Sequence, residues 1–229
     1  MLRLVLDWFD RHRGIDHPLA FAPGARWYCE AALPSRFFPR ARGDPRAESY
    51  THADGIIGHF FIAAGDRGYA TLLPDARQFV VIEAKLGSRL STATKHAPAY
   101  DQATRYVACI AHTLGLAGID PAAMDRLAFY VLAPDRQIQS GVYADLVTKR
   151  SIESKVRERA SQYKGEQDAW IETTFLQTLA RITLGFLSWE VILAALPQTP
   201  ETKLMTEFYA QCLRFNPLRG KDASQRRSP

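Results

Sequence analysis

The run Phe79-Val80-Val81-Ile82 ends in Glu83-Ala84-Lys85, and that junction constrains the fold more than any other stretch of the chain. Four consecutive apolar residues rich in β-formers suit a strand covered on both faces, as at the centre of an α/β sheet. Strand side chains alternate between faces, so Glu83 and Lys85 project from one face, about 7 Å apart, with Ile82 and Ala84 on the other. A carboxylate and an ammonium closing a buried strand are costly to desolvate unless they pair or bind something. The bare pattern of acid, any residue, then Lys is common. It recurs at Glu153-Ser154-Lys155 and Glu201-Thr202-Lys203, but in charged, helical surroundings where residues two apart do not face one another.

The flanking sequence supplies the other elements. Residues 1–22 read as a short amphipathic helix ending at Gly14, then a loop; residues 25–33 (ARWYCEAAL) read as a helix stopped by Pro34. An Arg-rich, Pro/Gly-punctuated loop covers 34–50. Three strands follow: one over 51–64, one from Tyr69 to Leu73 and one from Gln78 to Lys85, with Pro74-Asp75 as a turn. Residues 96–117 have helical periodicity through Tyr106, Val107, Ile110, Ala111 and Leu114. One more buried strand spans 127–134. Then come a charged helix over 145–164, a longer helical stretch over 166–196 broken near Gly185, and a last helix over 201–214. The order predicts an α/β (α+β) fold: a central mixed β-sheet flanked by helices, with a helical C-terminal layer. The expected division is an N-terminal helix and loop (1–24), a core (25–164), a helical extension packed on it (165–214) and a flexible basic tail (215–229).

The chain has 229 residues, 47% of them hydrophobic, enough for one sizeable core and too many for a disordered or collagen-like chain. No apolar run reaches the roughly 18 residues of a membrane span, and the N-terminal apolar stretch is too short for a signal peptide. Three widely separated cysteines form no disulfide framework or zinc ribbon, so the expected location is a reducing cytoplasm. With 29 basic and 24 acidic residues the net charge is +5. The basic residues cluster: Arg36, Arg40, Arg42 and Arg46; Lys149, Arg150, Lys155, Arg157, Arg159 and Lys164; and Arg214, Arg219, Lys221, Arg226 and Arg227. One such run is ordinarily a solvated face. Three together make nucleic acid a partner worth testing, since Arg suits phosphate.

Asp54 lies inside the first strand candidate, where Asp is depleted. It either caps its own backbone or stands opposite Glu83 as a metal ligand. In the second case Asp54, Glu83 and the Ala84 backbone carbonyl form a set of hard oxygen ligands suited to Mg²⁺, with Mn²⁺ as substitute. Such an ion would polarise a phosphoryl oxygen, with Lys85 stabilising developing charge. His52, two residues before Asp54, could approach the metal but reads better as a surface histidine. No HExxH, GxSxG or GxxxxGK[ST] motif is present.

Asp54, Glu83 and Lys85 resemble the catalytic pattern of the PD-(D/E)XK nuclease superfamily, whose fold is restriction-endonuclease-like. The helix after the third strand adds Gln102-Ala103-Thr104-Arg105-Tyr106, similar to the QxxxY motif of the recombination-exonuclease branch. Gln102 and Tyr106 lie one turn apart on one helix face. The resemblance covers roughly 25–133 and implies a metal-dependent phosphodiester hydrolase, foremost a DNA endonuclease. The alternative is a catalytically silent nucleic-acid-binding or assembly subunit on the same fold. It implies catalytic roles for Asp54, Glu83, Lys85 and Gln102, and a helical acid before the first strand, for which Glu30 is the candidate and Glu48 the competitor. Substrate contacts fall to Tyr106 and Arg105, and to Arg40 and Arg42 in the basic loop. DNA is favoured over RNA, and the C-terminal helices could bind a second copy or a partner protein. The literal Pro-Asp of the motif is Pro74-Asp75, but a turn at the far end of the strand puts Asp75 over 20 Å from Glu83, so Asp54 is the favoured acid.

Overall fold

The structure, a computed structural model, describes residues 1–38, 42–44, 48, 50–62, 68–91 and 97–216. In chain order the strands are β1 (Arg26–Tyr28), β2 (Ala31–Leu33), β3 (Thr51–Ala53), β4 (Gly55–Gly58), β5 (Phe60–Ile62), β6 (Ala70–Leu72), β7 (Gln78–Ala84), β8 (Arg126–Ala133) and β9 (Thr183–Ser188). The helices are α1 (Leu2–Arg11), α2 (Gln102–Leu116), α3 (Asp135–Gln139), α4 (Lys149–Ser161), α5 (Asp168–Trp170), α6 (Leu176–Arg181), α7 (Trp189–Ala195) and α8 (Pro200–Phe215), with a π-helical turn, Ile171–Phe175, joining α5 to α6.

The fold is α/β: a mixed five-stranded sheet in the order β1-β4-β7-β8-β9 lies between layers of helices. The apolar strand β7 is central. It pairs antiparallel with β4 and parallel with β8, and β8 pairs parallel with β9. Alternation sorts its side chains. Phe79 and Val81 pack with Tyr106, Val107 and Ile110 of α2, whereas Val80 and Ile82 pack with Val5, Leu6 and Phe9 of α1 and Trp189 of α7. Glu83 and Lys85 therefore fall on the α2 face. Among the described residues no helix is long and apolar enough to cross a membrane.

The β4–β7 contact depends on Gly58. A Cβ there would lie 2.2 Å from the Gln78 carbonyl oxygen, a collision with backbone that no rotamer relieves. Gly58→Ala is expected to lower stability by about 1–3 kcal/mol in urea unfolding; a cost below a few tenths would mean that the strands separate freely at this point.

Several expectations are corrected. Residues 25–33 form no helix. They make β1, paired with β4, and β2, paired with β3, and the chain turns between them at Glu30 with φ +59°. Long-range pairing overrides the local propensity of a short alanine-rich segment. The single strand expected over 51–64 is broken into β3, β4 and β5, with Asp54 at the first bend. The helix expected from 96 begins at Gln102, fixed by its N-cap. The stretch 166–196 is not continuously helical: Thr183–Ser188 is the fifth strand of the main sheet. This strand explains why the stretch is so apolar. Phe175, Ile182, Trp189 and Ile192 are all buried in the protein's own core, so no second chain is needed to cover them. It also means that no boundary at 165 separates core from extension, because the sheet runs through both. The expected tail lies outside the described residues from 217 onward.

Candidate active site

Asp101 sets the first turn of α2. Its carboxylate accepts from the Thr104 amide at 2.9 Å and the Thr104 hydroxyl at 3.0 Å, a side-chain N-cap, and pairs with Lys155 of α4. Gln102 thereby becomes the first residue of the helix and Tyr106 follows one turn later, both over the end of β7.

Glu83, only 3% exposed, is the centre of the cluster. Its Oε1 accepts from Gln102 Nε2 at 2.7 Å and pairs with the Lys85 ammonium. Lys85 Nζ in turn donates to Gln102 Oε1 at 3.2 Å, which also accepts the Ser91 amide at 3.0 Å. Glu83 Oε2 meets the Tyr106 hydroxyl, which lies 2.7 Å from the His52 carbonyl. The Tyr106 hydroxyl is the donor, with the Glu83 carboxylate and the His52 carbonyl both within its reach. Burial is the main cause raising the Glu83 pKa, reinforced by the Asp54 charge, and the bonds from Lys85 and Tyr106 only partly offset this.

Asp54 stands at the bend between β3 and β4, beyond the last β4–β7 pair, Gly55↔Ile82. There the Ala84 amide has no backbone acceptor, and Asp54 Oδ2 takes its place at 2.7 Å. The other carboxylate oxygen has no hydrogen bond among the described residues. In a strand the N–H and C=O of one residue point toward the same neighbour. Lys85 N–H donates to Leu132 of β8 at 2.7 Å, so the adjacent Ala84 carbonyl faces the Asp54 side. Asp54, Glu83 and the Ala84 carbonyl are therefore brought together.

Other sequence candidates fare differently. Tyr106, expected at the substrate, has no exposed surface and serves to orient Glu83. Glu30, expected on a helix, is exposed at the β1–β2 turn, its amide 3.4 Å from the Asp54 carbonyl oxygen. Glu48 is buried and paired with Arg159. The Asp75 turn leads into the opposite end of β7 from Glu83. The His52 side chain is exposed, and only its carbonyl enters the cluster. Arg105 donates to Ser91 Oγ at 3.0 Å, and its buried Nε has no partner among the described residues. Arg42 is exposed, and Arg40 lies outside the described residues.

Three contributors carried no sequence signal. Trp189 Nε1 donates to the Lys85 carbonyl at 3.0 Å. The Gln137 side chain bridges the Gly87 amide at 3.1 Å and the Ser88 carbonyl at 2.7 Å, and Tyr143 OH donates to the same carbonyl at 2.9 Å. Together they fix the chain leaving β7. Trp189→Phe keeps most of the packing and removes one buried bond, with an expected loss of about 1 kcal/mol in thermal unfolding.

The donor set fits a hard divalent cation. The Asp54 carboxylate lies close enough for its charge to act on Glu83, one of its oxygens has no hydrogen bond among the described residues, and a carbonyl points to the same place. Among the described residues no group of three or more His, Cys, Asp or Glu is gathered for a metal. The protein would thus supply few ligands and leave the remaining positions to water, as Mg²⁺ prefers. No family model, curated protein or solved structure matches this chain.

Proposed function

We propose that the chain is a Mg²⁺-dependent nuclease of the PD-(D/E)XK kind that hydrolyses phosphodiester bonds in nucleic acid. One observation carries the reading. Glu83 and Lys85 from a strand, Gln102 and Tyr106 from a helix and Asp54 from a bend converge on one half-buried cluster. The assignment to DNA and to endonucleolytic cutting rests on the resemblance. Unpaired cysteines throughout fit a cytoplasmic setting.

Asp54, Glu83 and the Ala84 carbonyl would hold the ion. Bound there, Mg²⁺ supplies Lewis-acid polarisation of the scissile phosphate and an acidified water. Lys85, held between Glu83 and Gln102, presents a fixed cation to the charge that develops on the phosphoryl oxygens. Gln102 sets the Lys85 rotamer and Tyr106 sets that of Glu83. Exposed Arg42 and Arg150 offer contacts for flanking phosphates, while Arg36, Lys155 and Arg159 are taken up by internal partners.

A second reading has its own support. Glu83 is already bonded by three side chains, as a structural ion pair would be, which suits a silent nucleic-acid-binding subunit. Cleavage of supercoiled plasmid, linear duplex, single-stranded DNA and RNA, with Mg²⁺, Mn²⁺ or EDTA, separates the two. The nuclease reading expects metal-dependent cutting that is lost with EDTA and in Asp54→Asn. Absence of both cutting and calorimetric Mg²⁺ binding by the wild type would overturn it.

A further inference from the structure

A second cleft opens at the other end of the sheet. It measures about 330 Å³ and is lined by Asp16, His17 and Pro18 of the loop after α1, by Asp125 through Leu127 and Tyr130 at the start of β8, and by Arg181 and Thr183 at the start of β9. Arg126 pairs with Gln78 in the β7–β8 register, and Glu83 pairs with Val131. Five residues of strand, about 17 Å, separate the two places. They also differ in face: Tyr130 packs with the α1 layer, and Glu83 points to α2.

Two guanidinium groups dominate the cleft. Arg126 uses Nη1 on the backbone carbonyls of His17 and Ala20, at 3.1 and 2.8 Å. Arg181 uses Nη2 on the Met124 carbonyl at 2.7 Å. Neither forms an ion pair among the described residues, so each keeps its full charge and further N–H donors. Carbonyl bonds also fix each group, which lowers the ordering cost of binding an anion. Of the two acids, Asp125 is drawn toward Arg77 at 3.7 Å and Asp16 is exposed. The Thr183 hydroxyl is exposed beside Arg181. The half-buried ring of Tyr130, with Leu127 and Pro18, gives an apolar wall. The Tyr130 ring is held against Gly185, where a Cβ would meet it at 3.2 Å.

We infer that this cleft binds a phosphate group carried by a nucleotide, at a site separate from the cluster around Glu83. Arginine forks match phosphate oxygens in pairs, the volume exceeds what a bare anion fills, and the tyrosine face suits a base or sugar. Asp16 and Asp125 are placed to accept from ligand hydroxyl or amino groups. The phosphate could belong to a free mononucleotide or to a strand of nucleic acid.

The test is calorimetric titration of the full chain in EDTA, so that no divalent cation holds a ligand at Glu83. The probes are inorganic phosphate, a deoxynucleoside 5′-monophosphate and a single-stranded oligonucleotide. Arg181→Gln removes one charge and Thr183→Glu places a carboxylate in the cleft. Both positions are exposed, and far-UV circular dichroism checks that the variants fold. Saturable binding of the monophosphate that weakens roughly tenfold or more in both variants supports the inference and names a free nucleotide as the source. Binding of the oligonucleotide alone, with Arg181→Gln lowering the salt slope by about one, supports it and assigns the phosphate to the polymer. Equal affinity in wild type and variants, or no saturable signal with any probe, overturns it. Glu83→Gln runs alongside. Loss of binding in that variant would place the ligand at the first cluster and overturn the second site, whatever the cleavage assay shows.

Discussion

Glu83→Gln is expected to abolish metal-dependent cleavage, by roughly 10³-fold or more, while leaving the protein at least as stable at neutral pH. The loss follows from the ion. Holding a cation against a developing phosphoryl charge contributes several kcal/mol, at about 1.4 kcal/mol per factor of ten, and an amide in place of the carboxylate removes the principal charged ligand. Stability should move the other way. Glu83 is buried beside the Asp54 charge, and both effects raise its pKa. The unfolded chain therefore releases this proton at a lower pH than the folded one. Between the unfolded value of about 4.3 and the raised folded value, the native state binds more protons, so this residue lowers stability as pH rises. Glutamine is neutral throughout and can still accept from Lys85 and donate to Tyr106. Urea unfolding should give matching stabilities near pH 4, with the variant gaining on the wild type as pH approaches 7. A variant that loses activity and also several kcal/mol at pH 7 would show that Glu83 is an ionised structural anchor.

The part of this cluster that could be read from sequence is the part set by short periods. A period of two puts Glu83 and Lys85 on one face of β7, and one helical turn puts Gln102 above Tyr106. The two faces meet because the apolar run makes β7 central and Asp101 fixes where α2 begins. Asp54 was legible as an anomaly in a strand, and the cause is a bend that leaves the Ala84 amide without a backbone acceptor. Elements whose form depends on distant partners could not be read in this way. ARWYCEAAL has helical composition, yet β1 and β2 exist because β4 and β3 stand opposite them. Residues 183–188 have the same leucines and phenylalanine that fill helices. Only the open edge of β8, with the Tyr130 ring against Gly185, makes them a strand. Trp189 reaches the Lys85 carbonyl across 104 positions of sequence, a separation at which no local pattern carries information.

Arg159→Met should be the most destabilising single change outside the apolar core, costing about 3–5 kcal/mol. The Arg159 side chain is 1% exposed and its partner Glu48 5%, with Nε and Oε1 at 3.1 Å. Ser35 Oγ donates to the second Glu48 oxygen at 3.1 Å, and the guanidinium lies over the rings of Phe37 and Tyr163 at 5.3 and 5.5 Å. This pair ties the chain after β2 to α4, since the Glu48 amide also donates to the Phe37 carbonyl at 2.8 Å. Burial pushes the Glu48 pKa up, and Arg159 is the main influence pulling it back. Methionine fills much of the volume but leaves Glu48 buried without its paired cation, with the weaker influence of the Arg105 charge remaining. That carboxyl must then stay protonated or draw in water, so the cost should grow from pH 4.5 to pH 8, where the unfolded chain is ionised and the folded one resists ionisation. Adding Glu48→Gln removes the stranded charge and should recover at least half of the loss. A double-mutant cycle by urea unfolding reads this directly as a coupling energy of about 1–3 kcal/mol. If Arg159→Met costs less than about 1 kcal/mol and the cycle shows no coupling, packing against Phe37 and Tyr163 holds this loop and the ion pair adds nothing to it.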